Sequence, residues 1–140
     1  MKILAVLASI LFFNFATAQE NQEEKGSITA IVTNATSDEG EVLFGLYSED
    51  TFMKTEPEFR ALSEVKNGVA KAIFTDIPEG TYAIIALHDK NGNKRMDFDS
   101  NGMPMENYGT SGNGMSYGPP NWEDSQFKFD KESREIEIRF

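Results

Sequence analysis

The amino-acid sequence alternates apolar and polar residues with a period of about two, which is typical of half-buried β-strands. Residues 27–33 are rich in β-branched side chains and residues 41–47 are largely apolar, so both are predicted strands, and the alternation is seen in residues 135–140. Residues 81–88 are apolar at nearly every position, which indicates a central strand covered on both faces. The pattern therefore predicts an all-β fold, an antiparallel β-sandwich of about seven strands.

Turn signals separate the predicted strands. The dipeptide Asn67-Gly68 is typical of a tight turn and predicts a hairpin across residues 63–74. Pro57 interrupts the apolar pattern of residues 48–62, so this stretch is predicted to be a long connection with at most one helical turn. The remaining predicted elements are a turn at residues 77–80, strands at 125–129 and 135–140, and a long ordered loop at 89–124 that folds over one end of the sandwich.

The N-terminus has the three parts of a secretory signal peptide. Lys2 supplies the charge, residues 3–13 are almost wholly apolar, and Ala16-Thr17-Ala18 fits a cleavage site. The apolar run is shorter than the roughly 20 residues of a transmembrane helix, and no later segment is apolar enough to span a bilayer. We therefore expect residues 1–18 to be removed and the protein to be exported, to a periplasm or out of the cell. The alternative is an uncleaved membrane anchor.

After cleavage the chain is predicted to consist of a flexible polar leader, residues 19–26, and a single domain, residues 27–140. The chain has no cysteine, which excludes thiol nucleophiles, thiolate metal ligands and disulfides. Its 23 acidic and 13 basic residues give a net charge of −10, which disfavours nucleic acids and anionic lipids as partners.

Oxygen-bearing side chains recur at alternate positions directly after the central strand. Asp89, Asn91 and Asn93 are two residues apart, and Asp97 follows them. Short carboxylates and amides with this spacing can converge on a calcium ion, as in the first positions of an EF-hand loop. The chain has Lys94 where the EF-hand has its sixth-position glycine and Ser100 where it has a bidentate glutamate. The predicted calcium ligands are the side chains of Asp89, Asn91, Asn93 and Asp97, the carbonyl of Arg95, and Glu106 or Asp99 as the closing acid.

The same residues form ordinary turns in many proteins, because Asn and Asp side chains bond to their own backbone. The basic residues Lys90, Lys94 and Arg95 would also have to point away from a bound cation. The sequence thus leaves two interpretations open, a calcium-ordered loop and a simple turn.

Four further residues are candidates for ligand contact. His88 is the only histidine and adjoins Asp89, and a lone histidine at a strand end is usually structural. Tyr108, Tyr117 and Trp122 lie in the long loop, where they either stack on a sugar or peptide or cap the core.

Several blocks of residues with fixed spacing carry a resemblance to a known family. They are Pro78-x-Gly80-x-Tyr82-Ala83, His88-Asp89-x-Asn91-x-Asn93 followed by Asp97, Gly102-x-Pro104-x-Glu106-x-Tyr108-Gly109-x-Ser111 and Gly118-Pro119-Pro120-x-Trp122-x-x-Ser125. From Ile77 onward, and more weakly over residues 27–76, the chain resembles the DUF2141 family of uncharacterised bacterial secreted proteins. In this chain a glycine that is usual in the family is replaced by Lys94, and Thr110 stands where an aromatic residue is common. The resemblance implies a transthyretin- or carboxypeptidase-regulatory-like β-sandwich and brings no enzymatic activity with it.

Three functions remain as hypotheses. The first is an exported, non-catalytic module that binds calcium and an extracellular protein or glycan. The second is a glycan-acting hydrolase that uses Glu106 with Asp97 or Asp99 as an acid/base pair, which requires two carboxyl groups about 5–10 Å apart in an open cleft. The third is a structural accessory domain without a ligand.

Overall fold

A computed structural model describes residues 25–114 and 118–140. The predicted signal peptide, residues 19–24 of the predicted leader and Tyr117 lie outside these residues. The described part contains eight strands and one short helix: β1 (Gly26–Val32), β2 (Glu41–Tyr47), β3 (Phe59–Glu64), β4 (Ala70–Ile77), β5 (Gly80–Asp89), β6 (Tyr108–Thr110), α1 (Trp122–Ser125), β7 (Phe127–Phe129) and β8 (Arg134–Ile138).

The first sheet has the strand order β4-β1-β8. β1 pairs antiparallel with β4 and parallel with β8, where Ile28 faces Arg134 and Val32 faces Ile138. The parallel pair differs from the antiparallel arrangement that we predicted throughout. Alternation along one strand fixes which side chains face the core, but it carries no information about the direction of a distant partner.

The second sheet is built around β5, its longest strand. Its order is β3-β2-β5-β6, and β7 also pairs with β5. β2 lies along one edge of β5, whereas β6 and β7 share the other edge, opposite residues 85–87 and 80–82. The predicted central position of this strand is confirmed.

The inner faces of the two sheets form the hydrophobic core. Alternate residues of β1 (Ile28, Ala30 and Val32) are fully buried against Phe44 and Leu46 of β2. Burying one such aliphatic side chain contributes about 1.5–3 kcal/mol. The all-β sandwich predicted from the sequence is therefore confirmed.

The Asn67-Gly68 turn forms, but it connects strands of different sheets. Asn67 and Gly68 have φ angles of 52° and 75°, and the backbone groups of Lys66 and Val69 bond across the turn. β3 pairs with β2, however, and β4 pairs with β1. The predicted hairpin was wrong about strand pairing, because a turn dipeptide fixes local geometry and not the sheet that each arm joins.

Two predicted boundaries also change. β3 begins at Phe59, inside the predicted connection of residues 48–62, and Gly26 belongs to β1 and not to the leader. The long loop at 89–124 contains β6 and most of α1, which ends at Ser125, together with a bridge between Phe98 and Pro104. These elements are too short to produce a detectable alternation.

Gly109 in β6 lies against the backbone of the last residues of the chain. A Cβ atom at this position would lie 2.1 Å from the carbonyl oxygen of Arg139. We expect Gly109→Ala to lower the free energy of unfolding by about 2 kcal/mol or more, because backbone must move to admit the methyl group. Urea unfolding measures the loss.

Gly114→Ala is the matched control, since its Cβ would meet the nearest atom, Cβ of Asp124, at an ordinary 3.4 Å. Equal stability of the two variants would contradict the close approach of β6 to residues 138–139.

Candidate functional site

β5 ends in two buried polar residues. His88 is fully buried and Asp89 is 1% exposed. The Asp89 carboxylate accepts hydrogen bonds from the backbone N–H groups of Gly92 and Lys94, each at 2.8 Å. A buried carboxylate requires such donors to offset its desolvation. The start of the loop is therefore fixed to the end of the central strand.

Lys94 has a left-handed backbone conformation, with φ of 59°. This residue stands at the sixth loop position, where the EF-hand uses glycine for a sharp turn. The turn directs the Lys94 N–H to Asp89 Oδ2. The replacement of glycine by Lys94 therefore does not prevent the turn, although a left-handed residue with a Cβ costs about 1–2 kcal/mol.

The side chains of Asn91, Asn93 and Asp97 meet at their tips. Both amide Nδ2 groups donate to Asp97 Oδ2, at 2.6 Å from Asn91 and 2.7 Å from Asn93. The Oδ1 atoms of the two asparagines accept the N–H groups of Asn93 and Arg95, respectively. The spacing predicted from the sequence thus brings these three side chains together.

Glu106 connects both ends of this loop. Its carboxylate is 9% exposed and accepts the N–H groups of Lys90 and Asp97, each at 3.3 Å. Arg95 lies outside this arrangement, with its side chain largely exposed and its Nε 3.9 Å from Asp97 Oδ1. Asp99 is also separate, because it accepts the N–H groups of Asn101 and Met103 within its own small hairpin.

The arrangement is not a cluster of carboxylates. Within residues 25–114 and 118–140, no group of three or more His, Cys, Asp and Glu side chains is placed to hold a metal ion. A cation here would depend on the amides of Asn91 and Asn93, whose oxygens are suitable calcium ligands. A rotation of each amide by 180° would place its oxygen beside Asp97, and it would break the hydrogen bonds that Oδ1 accepts from the N–H groups of Asn93 and Arg95.

His88 has no surface for ligand contact in this structure. Its Nε2 lies 2.8 Å from the carbonyl oxygen of Glu39 and therefore donates a proton to it. Its ring stacks on Phe140, with centroids 5.9 Å apart and planes 11° from parallel. Nδ1 is buried without a partner among the described residues. These contacts match the structural interpretation of this residue.

The two described aromatic candidates contact different parts of the protein. Trp122 is half-buried at the start of α1, and its ring packs edge-on against Phe52, which in turn packs against Tyr47. Tyr108 lies in β6, where its hydroxyl group donates to the carbonyl of Gly118 at 3.3 Å. The rings of Tyr108 and Trp122 therefore have different neighbours, and their role in ligand contact stays a prediction.

Two of the surface cavities formed by the described residues bear on these hypotheses. The first, of about 550 Å³, lies on the outer face of the second sheet, and Leu43, Leu62 and Leu87 contribute to its lining. The second, of about 610 Å³, lies between Tyr108 in β6 and Arg139 near the C-terminus. None of Asp97, Asp99 and Glu106 lines either cavity. Neither cavity is therefore the carboxylate-lined cleft that the hydrolase hypothesis requires.

The comparison with protein families agrees with the resemblance noted in the sequence. A family model described as "Uncharacterized protein conserved in bacteria (DUF2141)" matches residues 31–137. The chain belongs to the DUF2141 family. No curated protein and no solved structure matches the chain. The transthyretin-like topology stays a prediction.

The DUF2141 match includes the loop at residues 89–97, Glu106 and the strands that line the first cavity. In the residues described here, no helix has the length and apolar character needed to cross a membrane.

The hydrogen bonds predict that, without metal, Asp89 contributes more than Asp97 to the free energy of unfolding. In the presence of a chelator, we expect Asp89→Asn to lower the free energy of unfolding by about 1–3 kcal/mol, because the amide directs its NH₂ group at the N–H of Gly92 or of Lys94 and leaves that hydrogen bond unmade. Asp97→Asn should cost less than about 1 kcal/mol, since Asp97 accepts only from amides of two exposed side chains. Urea unfolding tests both, and equal losses would contradict the distinction.

Proposed function

We propose that this DUF2141 protein is an exported, non-catalytic binding module whose loop at residues 89–97 is ordered by a calcium ion. The observation that supports the proposal is the convergence of Asn91, Asn93 and Asp97 at their tips. In the proposed complex the two amides present oxygen to the ion, and Asp97 supplies a carboxylate ligand.

The backbone conformation of residues 89–94 supports the same proposal. Asp89 at the first loop position accepts the N–H of the sixth residue, Lys94, which adopts the left-handed conformation of the EF-hand glycine. Each Asp89 oxygen accepts one of these hydrogen bonds, so each has capacity for a further interaction. Arg95 would contribute its carbonyl, and Glu106, which accepts the N–H groups of Lys90 and Asp97, would be the closing acid.

The composition of the site favours weak binding. The amides are neutral, and Lys90, Lys94 and Arg95 raise the local positive charge. Extracellular calcium modules operate with dissociation constants of about 10⁻⁴–10⁻³ M. An exported protein with this loop fits that class.

No observation favours the hydrolase. The one histidine of the chain is buried and bonded to a backbone carbonyl. Glu106 is largely buried and accepts two backbone N–H groups. An acid/base pair must reach its substrate within hydrogen-bonding distance, and these groups are occupied in holding the loop.

Calcium should stabilise the exported protein against heat. At ten times the dissociation constant, binding to the folded state contributes about 1.4 kcal/mol, which raises the melting temperature of a domain of this size by about 5 °C. Asp97→Ala should abolish the rise and leave the metal-free melting temperature nearly unchanged. Thermal unfolding with calcium, with magnesium and with a chelator measures both effects.

Asp130→Ala is the matched control, because Asp130 is exposed and lies outside the loop. A calcium-dependent rise that persists in Asp97→Ala would contradict the assigned site. The absence of any rise in the unaltered protein would make residues 89–97 an ordinary turn and favour the accessory domain without a ligand.

Lys94 provides an independent test of the loop. We expect Lys94→Gly to raise the metal-free free energy of unfolding by about 1 kcal/mol, because glycine adopts positive φ without strain. The loss of a positive charge should also tighten calcium binding. Lys94→Ala separates the two effects, since it removes the charge but keeps the strain. A less stable Lys94→Gly variant would contradict the left-handed turn.

A further inference from the structure

The outer side of β5 is only partly covered. Ile84 and Ala86 point into the core, so Ile85 and Leu87 point to the opposite face of the sheet. Near α1, Ala83 is fully buried on this outer face, whereas Ile85 and Leu87 remain half-buried. The apolar run that predicted a doubly covered strand thus leaves two aliphatic side chains partly open.

Neighbouring strands extend this apolar surface. Leu43 of β2 is the register partner of both Leu62 of β3 and Leu87 of β5. In the next row Gly45 lies between Arg60 and Ile85, and its missing side chain makes room for the ring of Tyr47. We call this surface the trough, defined by Leu43, Leu62, Ile85 and Leu87 as its aliphatic floor and by Gly45 with Tyr47 at one end.

The size of the trough fits a small molecule. Its volume of about 550 Å³ lies within the range of about 300–1,000 Å³ that is usual for ligand sites. The outer face of an antiparallel sheet normally carries polar side chains. Leu62 is nevertheless 49% exposed on this face. The aliphatic floor therefore favours a ligand with an apolar part.

The charged residues at the edge of the trough, which we call its rim, indicate the charge of a ligand that would bind there. Arg60, Lys94 and Arg95 line the trough, and Glu56, which pairs with Arg60, is the acidic residue beside them. Among the described residues Lys94 forms no ion pair. Arg60 and Arg95 lie beside the acids Glu56 and Asp97, so the three basic side chains leave a net positive charge at this apolar surface, in a chain of net charge −10. They complement an anion.

We propose that the trough binds an amphiphilic anion, a long-chain carboxylate with its hydrocarbon tail on the aliphatic floor and its head group at Lys94 and Arg95. Under the trough, β2 and β5 are paired along both edges, so a peptide could not add between these strands. The inference rests on the proposed function in one respect, because the calcium loop carries Lys94 and Arg95.

Displacement of the fluorescent apolar sulfonate 8-anilinonaphthalene-1-sulfonate by dodecanoate tests the proposal. The measurement uses the exported protein with a chelator, since calcium precipitates long-chain carboxylates. We expect Leu62→Glu to weaken dodecanoate binding at least about tenfold, because it places an acid on the apolar floor. Ile73→Glu is the matched control: Ile73 is 57% exposed on β4, in the other sheet, and its affinity should stay unchanged.

The double variant Lys94→Gln with Arg95→Gln tests the head group. It should weaken dodecanoate about tenfold and leave the neutral dodecanol unaffected. Equal affinities of Leu62→Glu and Ile73→Glu, or equal binding of dodecanoate and dodecanol by the unaltered protein, would overturn the proposal. So would a dimer in sedimentation that Leu62→Glu dissociates, since a second copy would then cover the trough.

The two proposals fail separately. A calcium-dependent rise in melting temperature without displacement by dodecanoate would remove the trough and keep the calcium loop. Displacement that Leu62→Glu abolishes, in a protein that calcium does not stabilise, would keep the trough and remove the calcium loop. If both proposals hold, the affinity of the fluorescent sulfonate measured with and without calcium shows whether the ion strengthens anion binding at Lys94 and Arg95.

Discussion

The pairing of β5 along both of its edges is the constraint on which the rest of the structure depends. β2 occupies one edge, and β6 and β7 divide the other between them. A strand held in this way cannot slip by one residue without turning its core side chains outward. Its inner side chains therefore stay in the core, its outer side chains form the floor of the trough, and its last residue, Asp89, is fixed in position.

The fixed position of Asp89 explains how a loop rich in asparagine and glycine remains ordered. An isolated turn of this composition would exchange among many conformations, because its side chains can bond to several backbone groups. Asp89 removes this freedom by accepting two N–H groups from a buried position. Glu106, which precedes β6 by two residues, accepts N–H groups on both sides of the asparagines. Hydrogen bonds to Asp89 at the end of β5 and to Glu106 next to β6 thus fix the loop in the absence of a cation.

The sequence predicted those features that depend on residues close together in the chain. Apolar runs located β2 and β5, Asn67-Gly68 located a turn, and the spacing of Asn91, Asn93 and Asp97 predicted that their tips meet. Features that depend on distant pairing could not be predicted in this way. Three such features arise from the pairing of strands that are distant in sequence. They are the parallel pair of β1 with β8, the separation of β3 and β4 into two sheets, and the aliphatic row of Leu62, Leu43 and Leu87.

The position of Lys94 links the two proposed sites through one turn of backbone. Its N–H group bonds to Asp89, while its side chain lines the trough together with that of Arg95. An ion that orders this turn would also restrict the two cationic side chains, and a bound anion would in turn reduce the positive charge that opposes the ion. Such coupling must be reciprocal: the factor by which calcium strengthens binding of the anion equals the factor by which the anion strengthens binding of calcium. A lysine in a position suited to glycine, despite its conformational cost, is consistent with a side chain that serves the neighbouring surface.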